Sequence, residues 1–433
     1  MNGIFFAIVI IGFGVAAFRE VTGALSPDGV GPMAALGTAM IDTAGGAVEL
    51  AIGLVGVMAL FLGLMKVAEQ GGLLVIVAKL LRPLMVRLFP AVPPEHPAMG
   101  AMIMNMSANM LGLGNAATPF GIKAMQYLDK LNPVKGTASN AMILFLAINT
   151  SSVTLLPTGV IAIRAASGSA DAAGIVPTTL FATLCSTTVA ILVAKFLESR
   201  RPDLVPDPNA IREDHQNETE SVDDETPLPP EGSQSYPAWV SLAALATLLA
   251  MVPLTVVYGR SIAPWIIPGL MVALLGFGVA KRVRIYEAFV EGAKDGFQVA
   301  LRIIPYLVAI LVAVAMFRAS GAMDILLSPI GAITESFGMP AEALPMALLR
   351  PLSGSGAYGI MASIIQDPAI GPDSYTGYLV STMQGSTETT FYVLAVYFGA
   401  VGVHRIRHAL VAALAADFAG VVGAVISCAW LYG

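Results

Sequence analysis

Apolar runs of about 20 residues recur along this 433-residue chain and constrain its fold more than any other feature. The clearest are residues 47–65, 175–197, 238–258, 262–280 and 296–317. A helix of about 20 apolar residues crosses the hydrocarbon core of a bilayer. Charged residues make up only 12% of the chain, which is about half the share found in soluble globular proteins. The sequence therefore predicts an all-α polytopic membrane protein.

One segment, residues 199–236, interrupts the apolar pattern. It holds ten acidic and three basic residues together with six prolines, whereas the rest of the chain is close to neutral. Such a segment has too little apolar surface to offset the entropy lost on ordering it. We predict a disordered acidic linker at 199–236, which joins a first membrane half, 1–198, to a second membrane half, 237–433.

The two halves follow one order of segments. In each, a long apolar run leads into an amphipathic stretch, two polar passages and a last span. Matching order and spacing predict an internal duplication. The corresponding segments are 71–89 and 321–337 for the amphipathic stretch, 105–119 and 353–356 for the first polar passage, and 151–154 and 386–389 for the second.

Charges on corresponding segments predict that the two halves are inverted. Residues 71–89 contain three basic residues and no acid, whereas 321–337 contain two acids and no base. Because cytoplasmic loops are enriched in Lys and Arg, the first stretch is expected on the cytoplasmic side and the second outside. One span, 4–18, opens the first half and two, 238–258 and 262–280, open the second. This odd difference in the number of spans would also turn the second half upside down relative to the first. The linker is then expected on the cytoplasmic side of a bacterial inner membrane.

Inverted repeats with interrupted helices are typical of secondary transporters. Where a helix breaks at membrane depth, its freed N–H and C=O groups need partners, so the break is buried in protein or lines a cavity. Segments 112–119, 351–359, 149–154 and 384–389 are rich in Gly, Ser and Thr, and the runs beside them are too short to span a bilayer. They predict broken or re-entrant helices around a solute site near the midplane.

The candidate binding residues come from these four segments. Most are neutral, so we expect a small polar or zwitterionic solute rather than a multiply charged ion. Glu388 is an ionisable group near membrane depth, which makes it a candidate for a coupling proton or a cation, unless it pairs with a buried arginine such as Arg302 or Arg350. The alternative for the others is that they satisfy backbone groups or join helices. The candidates are Asn105, Ser107, Asn109, Asn115, Thr118, Asn149, Ser151, Ser152, Ser353, Ser355, Tyr358, Gln384, Ser386, Thr387 and Glu388. Lys123 and Arg164 are expected to be snorkelling or capping charges.

Two motifs within these segments resemble those of known proteins. Residues 105–121, NMSANMLGLGNAATPFG, resemble the signature of spore maturation protein A, and residues 350–357, RPLSGSGA, resemble that of spore maturation protein B. The chain is similar to a fusion of the two, which implies two nucleoside-recognition gate domains and an inner-membrane protein of transporter type. The membrane domain of the ferrous-iron transporter is a more distant likeness. It has a cysteine where this chain has Asn115, so a soft ligand for Fe²⁺ is missing here.

Two other functions stay open at this point. A non-transporting envelope scaffold or maturation factor would have a packed interior without a polar cavity. Ser355-Gly356 resembles the nucleophile of an intramembrane serine protease, but that reaction requires a base, and all four histidines lie at predicted loops or helix ends. We expect no enzyme activity, no cofactor and no metal site. The expected partners are the lipid bilayer and a small polar solute, with no nucleic acid, and a homo-oligomer is left open.

Overall fold

Helices form the regular structure of the protein throughout residues 2–23, 30–200 and 236–433, which the computed structural model describes. The helices of the first half are α1 (Asn2–Val21), α2 (Pro32–Gln70), α3 (Leu73–Leu88), α4 (Pro97–Met110), α5 (Gly114–Lys130), α6 (Asn140–Ser151), α7 (Thr158–Ala166) and α8 (Ile175–Ser199). Those of the second half are α9 (Ala238–Ala280), α10 (Ile285–Ala319), α11 (Ala322–Thr334), α12 (Leu344–Leu349), α13 (Gly354–Gln366), α14 (Tyr375–Ser386), α15 (Thr390–Gly399) and α16 (Ala409–Tyr432). The predicted linker lies almost entirely outside the described residues.

The protein is an integral membrane protein. Among the described residues, α2, α8 and α16 are each long and apolar enough to cross a bilayer. Large apolar side chains stay exposed on these helices, including Leu192 and Phe196 on α8 and Phe418 and Trp430 on α16. Such side chains suit contact with lipid, because hydrocarbon does not penalise exposed apolar surface as water does.

The helices repeat in the order that the sequence predicts. The series α2 to α8 corresponds to the series α10 to α16: a long helix, a short amphipathic helix, a hairpin of two short helices, a broken helix and a final span. The hairpins are α4–α5 and α12–α13, and the broken helices are α6–α7 and α14–α15. We refer to the two series as the first repeat and the second repeat.

Corresponding helices of the two repeats run antiparallel, which confirms that the repeats are inverted. On α2 and α10, a side chain at Gly63 would meet Phe289 at 2.9 Å and one at Gly296 would meet Ala59 at 2.7 Å, so residue numbers rise in opposite directions. The final spans behave alike. Ser186 Oγ on α8 donates to the Ala416 carbonyl on α16 at 2.8 Å, and Tyr432 Oη donates to the Gly174 carbonyl at 2.6 Å.

The prediction of two spans at 238–258 and 262–280 is wrong, since α9 is one continuous helix of 43 residues. Between the two predicted spans the chain has one glycine and no proline. A single glycine costs a helix only about 1 kcal/mol. Three prolines, Pro253, Pro264 and Pro268, lie within the two apolar runs, where a proline kinks a helix, and α9 continues through all of them. At about 1.5 Å per residue, α9 is about 64 Å long. The number of spans therefore does not support the inversion, which depends on the antiparallel pairs.

The hydrophobic core joins the two repeats instead of filling each one separately. One cluster packs Met102 and Phe145 of the first repeat with Phe398 and Ala412 of the second. The other packs side chains of α2 and α7 against side chains of α10 and α13. This shared packing brings the interrupted helices of both repeats together in the middle of the molecule.

Candidate functional site

All four predicted helix breaks are present. They lie at residues 111–113 and 350–353 in the two hairpins and at 152–157 and 387–389 in the two broken helices. The first two are shorter than predicted, because α5 already begins at Gly114 and continues through Pro119, and α13 already begins at Gly354. The sequence signals therefore locate the interruptions within a few residues.

Two of the breaks have a clear local cause. Gly112 ends α4 with a φ of +73°, and the amide of the next residue, Leu113, donates to the Ala108 carbonyl at 2.8 Å. This is the Schellman ending, which requires a left-handed residue and so favours glycine. A Cβ on Gly112 would also lie 2.9 Å from the Leu156 carbonyl oxygen. In the second hairpin, Ser353 Oγ caps α13 by accepting from the Gly356 amide at 3.0 Å.

Backbone groups freed by the breaks bond to one another across the structure. The Leu155 amide donates to the Met110 carbonyl at 3.1 Å, and the Phe391 amide donates to the Pro351 carbonyl at 3.1 Å. Each of these bonds joins a hairpin to the broken helix of its own repeat. The Glu388 amide donates to the Thr150 carbonyl at 2.7 Å and so joins the two broken helices. The four breaks therefore form one connected centre, as membrane-depth interruptions require.

A cavity of about 210 Å³ lies at this centre. Six predicted site residues line it: Asn109, Ser152, Tyr358, Gln384, Thr387 and Glu388. Thr154, Thr158 and Arg350 also contribute polar groups, while Leu156 and Val160 add apolar surface. Because both repeats supply wall residues, a movement of one repeat against the other would change the shape of the cavity.

The cavity wall contains one pair of opposite charges, Arg350 and Glu388, whose Nη2 and Oε2 atoms are 3.9 Å apart. The Arg350 side chain is 6% exposed, whereas that of Glu388 is 50% exposed. Arg350 Nη1 donates to Thr389 Oγ1 at 3.1 Å, and its Nε has no hydrogen-bond partner. The alternative in which Glu388 pairs with an arginine is therefore correct for Arg350. The pair presents both charge signs to a solute.

Gln384 supplies a second polar group that is only partly satisfied. Its side chain is 2% exposed, and its Oε1 atom has no hydrogen-bond partner. A buried amide oxygen without a partner costs about 1–3 kcal/mol, and a hydrogen-bond donor on a bound solute would remove that cost. This makes Gln384 a specific candidate for solute contact.

A buried amide–tyrosine network joins the first repeat to α15 of the second. Asn105 Nδ2 donates to Tyr397 Oη at 3.1 Å, and Tyr397 Oη donates to Asn149 Oδ1 at 3.3 Å. Asn109 Nδ2 donates to the same Asn149 oxygen at 3.0 Å. Sequence reasoning missed Tyr397, which lies far from the other members along the chain. Asn109 is the member that reaches the cavity wall.

Several predicted site residues make contacts within their own helices. Ser107, Ser151 and Ser386 donate their hydroxyls to carbonyls three or four residues earlier, those of Ile103, Ile148 and Met383. Ser355 Oγ lies 3.5 Å from the capping Ser353 Oγ, and Thr118 is half-buried on α5. The side chain of Asn115 lies outside the described part of the chain. These hydroxyls fit the alternative of backbone satisfaction better than contact with a solute.

Arg164 is not the snorkelling or capping charge that was expected, because its side chain is fully buried. Its guanidinium donates to the Pro372 carbonyl at 2.7 Å and to Asp373 Oδ1 at 3.1 Å, and it lies over the Tyr378 ring at 4.2 Å from the centroid. Lys123, only 8% exposed, is buried as well. Arg164 ties α7 of the first repeat to the loop before α14 of the second, and so holds the repeats together at one end.

The sequence profile of the Gate family, described as nucleoside recognition, matches residues 51–167 and 300–404, together just over half of the chain. The chain belongs to this family. Each match includes the hairpin and the broken helix of one repeat. Spore maturation protein B of Bacillus subtilis (strain 168) is 47% identical over 167 residues, covering 39% of this chain and 93% of that protein. Spore maturation protein A of the same organism is 50% identical over 155 residues, covering 36% and 79%. The predicted similarity to both proteins is confirmed.

Two solved structures of CNTnw are also similar in overall form. The one in an outward-facing state has a TM-score of 0.46 and 14% identity, and the comparison covers 100% of this chain and 97% of that chain. The one in an intermediate state has a TM-score of 0.38 and 14% identity, with 99% and 96% covered. Both scores lie below 0.5, so the overall likeness is slight.

Proposed function

We propose that the protein is a membrane transporter or facilitator for a small polar solute, and that the solute binds in the cavity between the four helix breaks. The observation that carries the proposal is the position of this cavity, with polar wall residues from both inverted repeats. A site at the repeat interface is where inverted-repeat transporters bind their substrates. A non-transporting scaffold gives no reason for a polar cavity at this depth.

The wall chemistry supports the class of solute. Amide, hydroxyl and tyrosine groups offer several neutral hydrogen bonds, and the Arg350–Glu388 pair adds one charge of each sign. A zwitterion or a neutral solute with several hydroxyl or amide groups suits this wall, whereas a multiply charged ion does not. The volume of about 210 Å³ lies below the roughly 300–1,000 Å³ of drug-sized pockets, which favours a small solute. Because the family is described as nucleoside recognition, nucleoside-like solutes are the first to test.

We place the protein in the bacterial cytoplasmic membrane with the linker on the cytoplasmic side. A second cavity, of about 260 Å³, is lined by Val92, Leu131, Glu198 and Arg407, so three loops and the C-terminal end of α8 meet on one face. The loops on this face include the basic segment 404–408, and α8 delivers the chain to the linker there. On the opposite face, Arg164 at the end of α7 joins the loop that contains Asp171 to the loop that contains Asp373. The positive-inside rule then assigns the basic face to the cytoplasm.

The test is a binding screen on the purified full-length protein. Nucleosides, amino acids and other small zwitterions are screened for a rise in thermal unfolding temperature, and the hits are confirmed by equilibrium binding. Gln384→Leu removes an amide from the cavity wall, and Gln366→Leu makes the same change at an exposed site on α13. We expect the first variant to bind the hit at least tenfold more weakly and the second to bind it like wild type.

Two results would contradict the proposal. If no solute in the screen stabilises the wild-type protein, the alternative of a non-transporting scaffold is favoured. If a solute binds Gln384→Leu as tightly as it binds wild type, binding occurs but this cavity is not the site. A positive result is followed by uptake into proteoliposomes, which separates a transporter from a protein that only binds the solute.

A further inference from the structure

A buried acid lies behind the cavity. Asp417 is in the middle of the apolar helix α16 and is 5% exposed. Its Oδ2 accepts from Thr390 Oγ1 at 2.6 Å, while its Oδ1 has no hydrogen-bond partner. An ionised carboxylate at membrane depth is costly unless it is paired and fully hydrogen-bonded. With only one donor, the Asp417 side chain is better suited to hold a proton than to remain ionised.

Asp417 is connected to the charge pair in the cavity wall. The neighbouring residues Thr389 and Thr390 bind the two charged groups: Thr389 accepts from Arg350, and Thr390 donates to Asp417. Through these adjacent threonines the Arg350 guanidinium is close to Asp417, and it also lies 3.9 Å from Glu388. One arginine is therefore positioned between two acids. With both acids ionised the group would carry a net negative charge, and one proton makes it neutral.

We propose that Asp417 is a proton-binding site that couples proton movement to the solute cavity. The inference rests on the proposed function and names its coupling ion. The Asp417 carboxylate takes up one proton from water on one side of the membrane and becomes a neutral acid. The Arg350 guanidinium is then free to pair with Glu388 and with the solute. The same proton is released to water on the other side, and the ionised Asp417 then competes with Glu388 for Arg350. Solute affinity and proton occupancy are linked through that one guanidinium.

The charged groups around Asp417 are few, so we expect Asp417 to be the acid that gains and loses the proton. Among the described residues, the charged groups connected to it are Arg350, through Thr389 and Thr390, and Glu388, through Arg350. The other helices that pack against α16 contribute tyrosine and cysteine side chains, which are uncharged at neutral pH, and one pair, Lys195 with Glu198, at the far end of α8. The uncharged groups are Cys185 on α8, Tyr375 and Tyr378 on α14, and Tyr392 and Tyr397 on α15.

The experiment is infrared difference spectroscopy on the full-length protein in lipid vesicles, with the buffer stepped between neutral and alkaline pH, where ordinary carboxyl groups are already ionised. A protonated carboxyl group has a carbonyl band separate from the carboxylate bands. We expect wild type to show such a band at neutral pH, and we expect Asp417→Asn to lose it. Asp129→Asn, at an exposed ion pair with Lys135, is the matched control and should keep it. If wild type lacks the band, or if Asp417→Asn keeps it, the proposal is refuted.

A second variant keeps the test decisive if Asp417→Asn does not fold. Thr390→Val removes the hydroxyl that stabilises the ionised form, so the band should persist to higher pH, and an unchanged titration would count against Asp417. The spectroscopy needs no solute, so its outcome is independent of the proposed function. Once a solute is found, its uptake should acidify vesicles that contain a pH-sensitive dye in wild type but not in Asp417→Asn. Solute uptake without proton movement would refute the coupling and leave transport intact.

Discussion

Tyr397→Phe tests whether the buried amide–tyrosine network holds the two repeats together. The substitution removes one hydroxyl, which accepts from Asn105 at 3.1 Å and donates to Asn149 at 3.3 Å. The ring itself is kept, and so is its stacking on Phe145, where the centroids are 6.0 Å apart. The change therefore isolates two hydrogen bonds from the packing around them.

The expected loss of stability is small but measurable. Hydrogen bonds between membrane helices average about 0.6 kcal/mol each, so two of them contribute about 1 kcal/mol. Neither amide is left without a partner, because Asn105 still donates to the Ala117 carbonyl and Asn149 still accepts from Asn109. The full cost of orphaned buried groups is thus avoided. A loss of about 1 kcal/mol changes the unfolding equilibrium about fivefold.

The assay is reversible unfolding of the purified protein by a denaturing detergent in mixed micelles. Tyr392→Phe is the control, since Tyr392 lies on the same helix with 56% of its surface exposed, and we expect no measurable change there. If Tyr397→Phe is as stable as Tyr392→Phe, the network does not hold the repeats together.

Three further substitutions test individual features of the fold. Gly112→Ala should destabilise the protein by about 1–2 kcal/mol in the same unfolding assay, because the residue has a left-handed φ, whereas Gly56→Ala, which meets open space, should not. Arg164→Met should cost about 3 kcal/mol, since it removes a fully buried guanidinium and the hydrogen bonds that it donates to backbone carbonyls, against about 1 kcal/mol or less for Arg82→Met at an exposed pair; equal losses would contradict the buried role. Burial and, to a smaller extent, the positive charge of Lys130 lower the pKa of His96 below 6.5. The folded protein therefore favours the neutral imidazole ring, which caps α4. Thermal stability should therefore fall as pH drops below about 6.5. That fall should be absent in His96→Asn, whose amide oxygen can cap at any pH, and its persistence there would exclude His96 as the cause.

The order of the helices and their breaks could be predicted because their causes are local. Gly112 ends α4 and Ser353 begins α13 through bonds to residues only a few positions away. The inversion followed from the charges of loops. The single helix α9 could not be predicted from hydropathy, because the two apolar runs within it are joined by residues that a helix tolerates. The length of α9 therefore cannot be predicted from the distribution of apolar residues.

The composition of the site was only partly predictable, because it depends on contacts between distant parts of the chain. Six of the predicted residues line the cavity, but Tyr397 reaches the site from a span rich in apolar residues and carries no signal of its own. Arg164 and Asp417 did carry a signal, since each is an ionisable residue within an apolar helix. The sequence does not show which side chains pack around Arg164 and Asp417. Arg164 meets Asp373 some two hundred residues away along the chain.

A transporter exposes its solute cavity to each side of the membrane in turn, and thiol labelling at Thr154, a residue of the cavity wall, tests whether the proposed cavity does so. The chain has two cysteines, Cys185 and Cys428, so Thr154→Cys is placed in a background in which both are replaced by alanine. A membrane-impermeant thiol reagent is then applied to right-side-out and to inside-out vesicles. We expect labelling from both faces, with protection by a bound solute. Labelling from one face alone, or from neither, would contradict it.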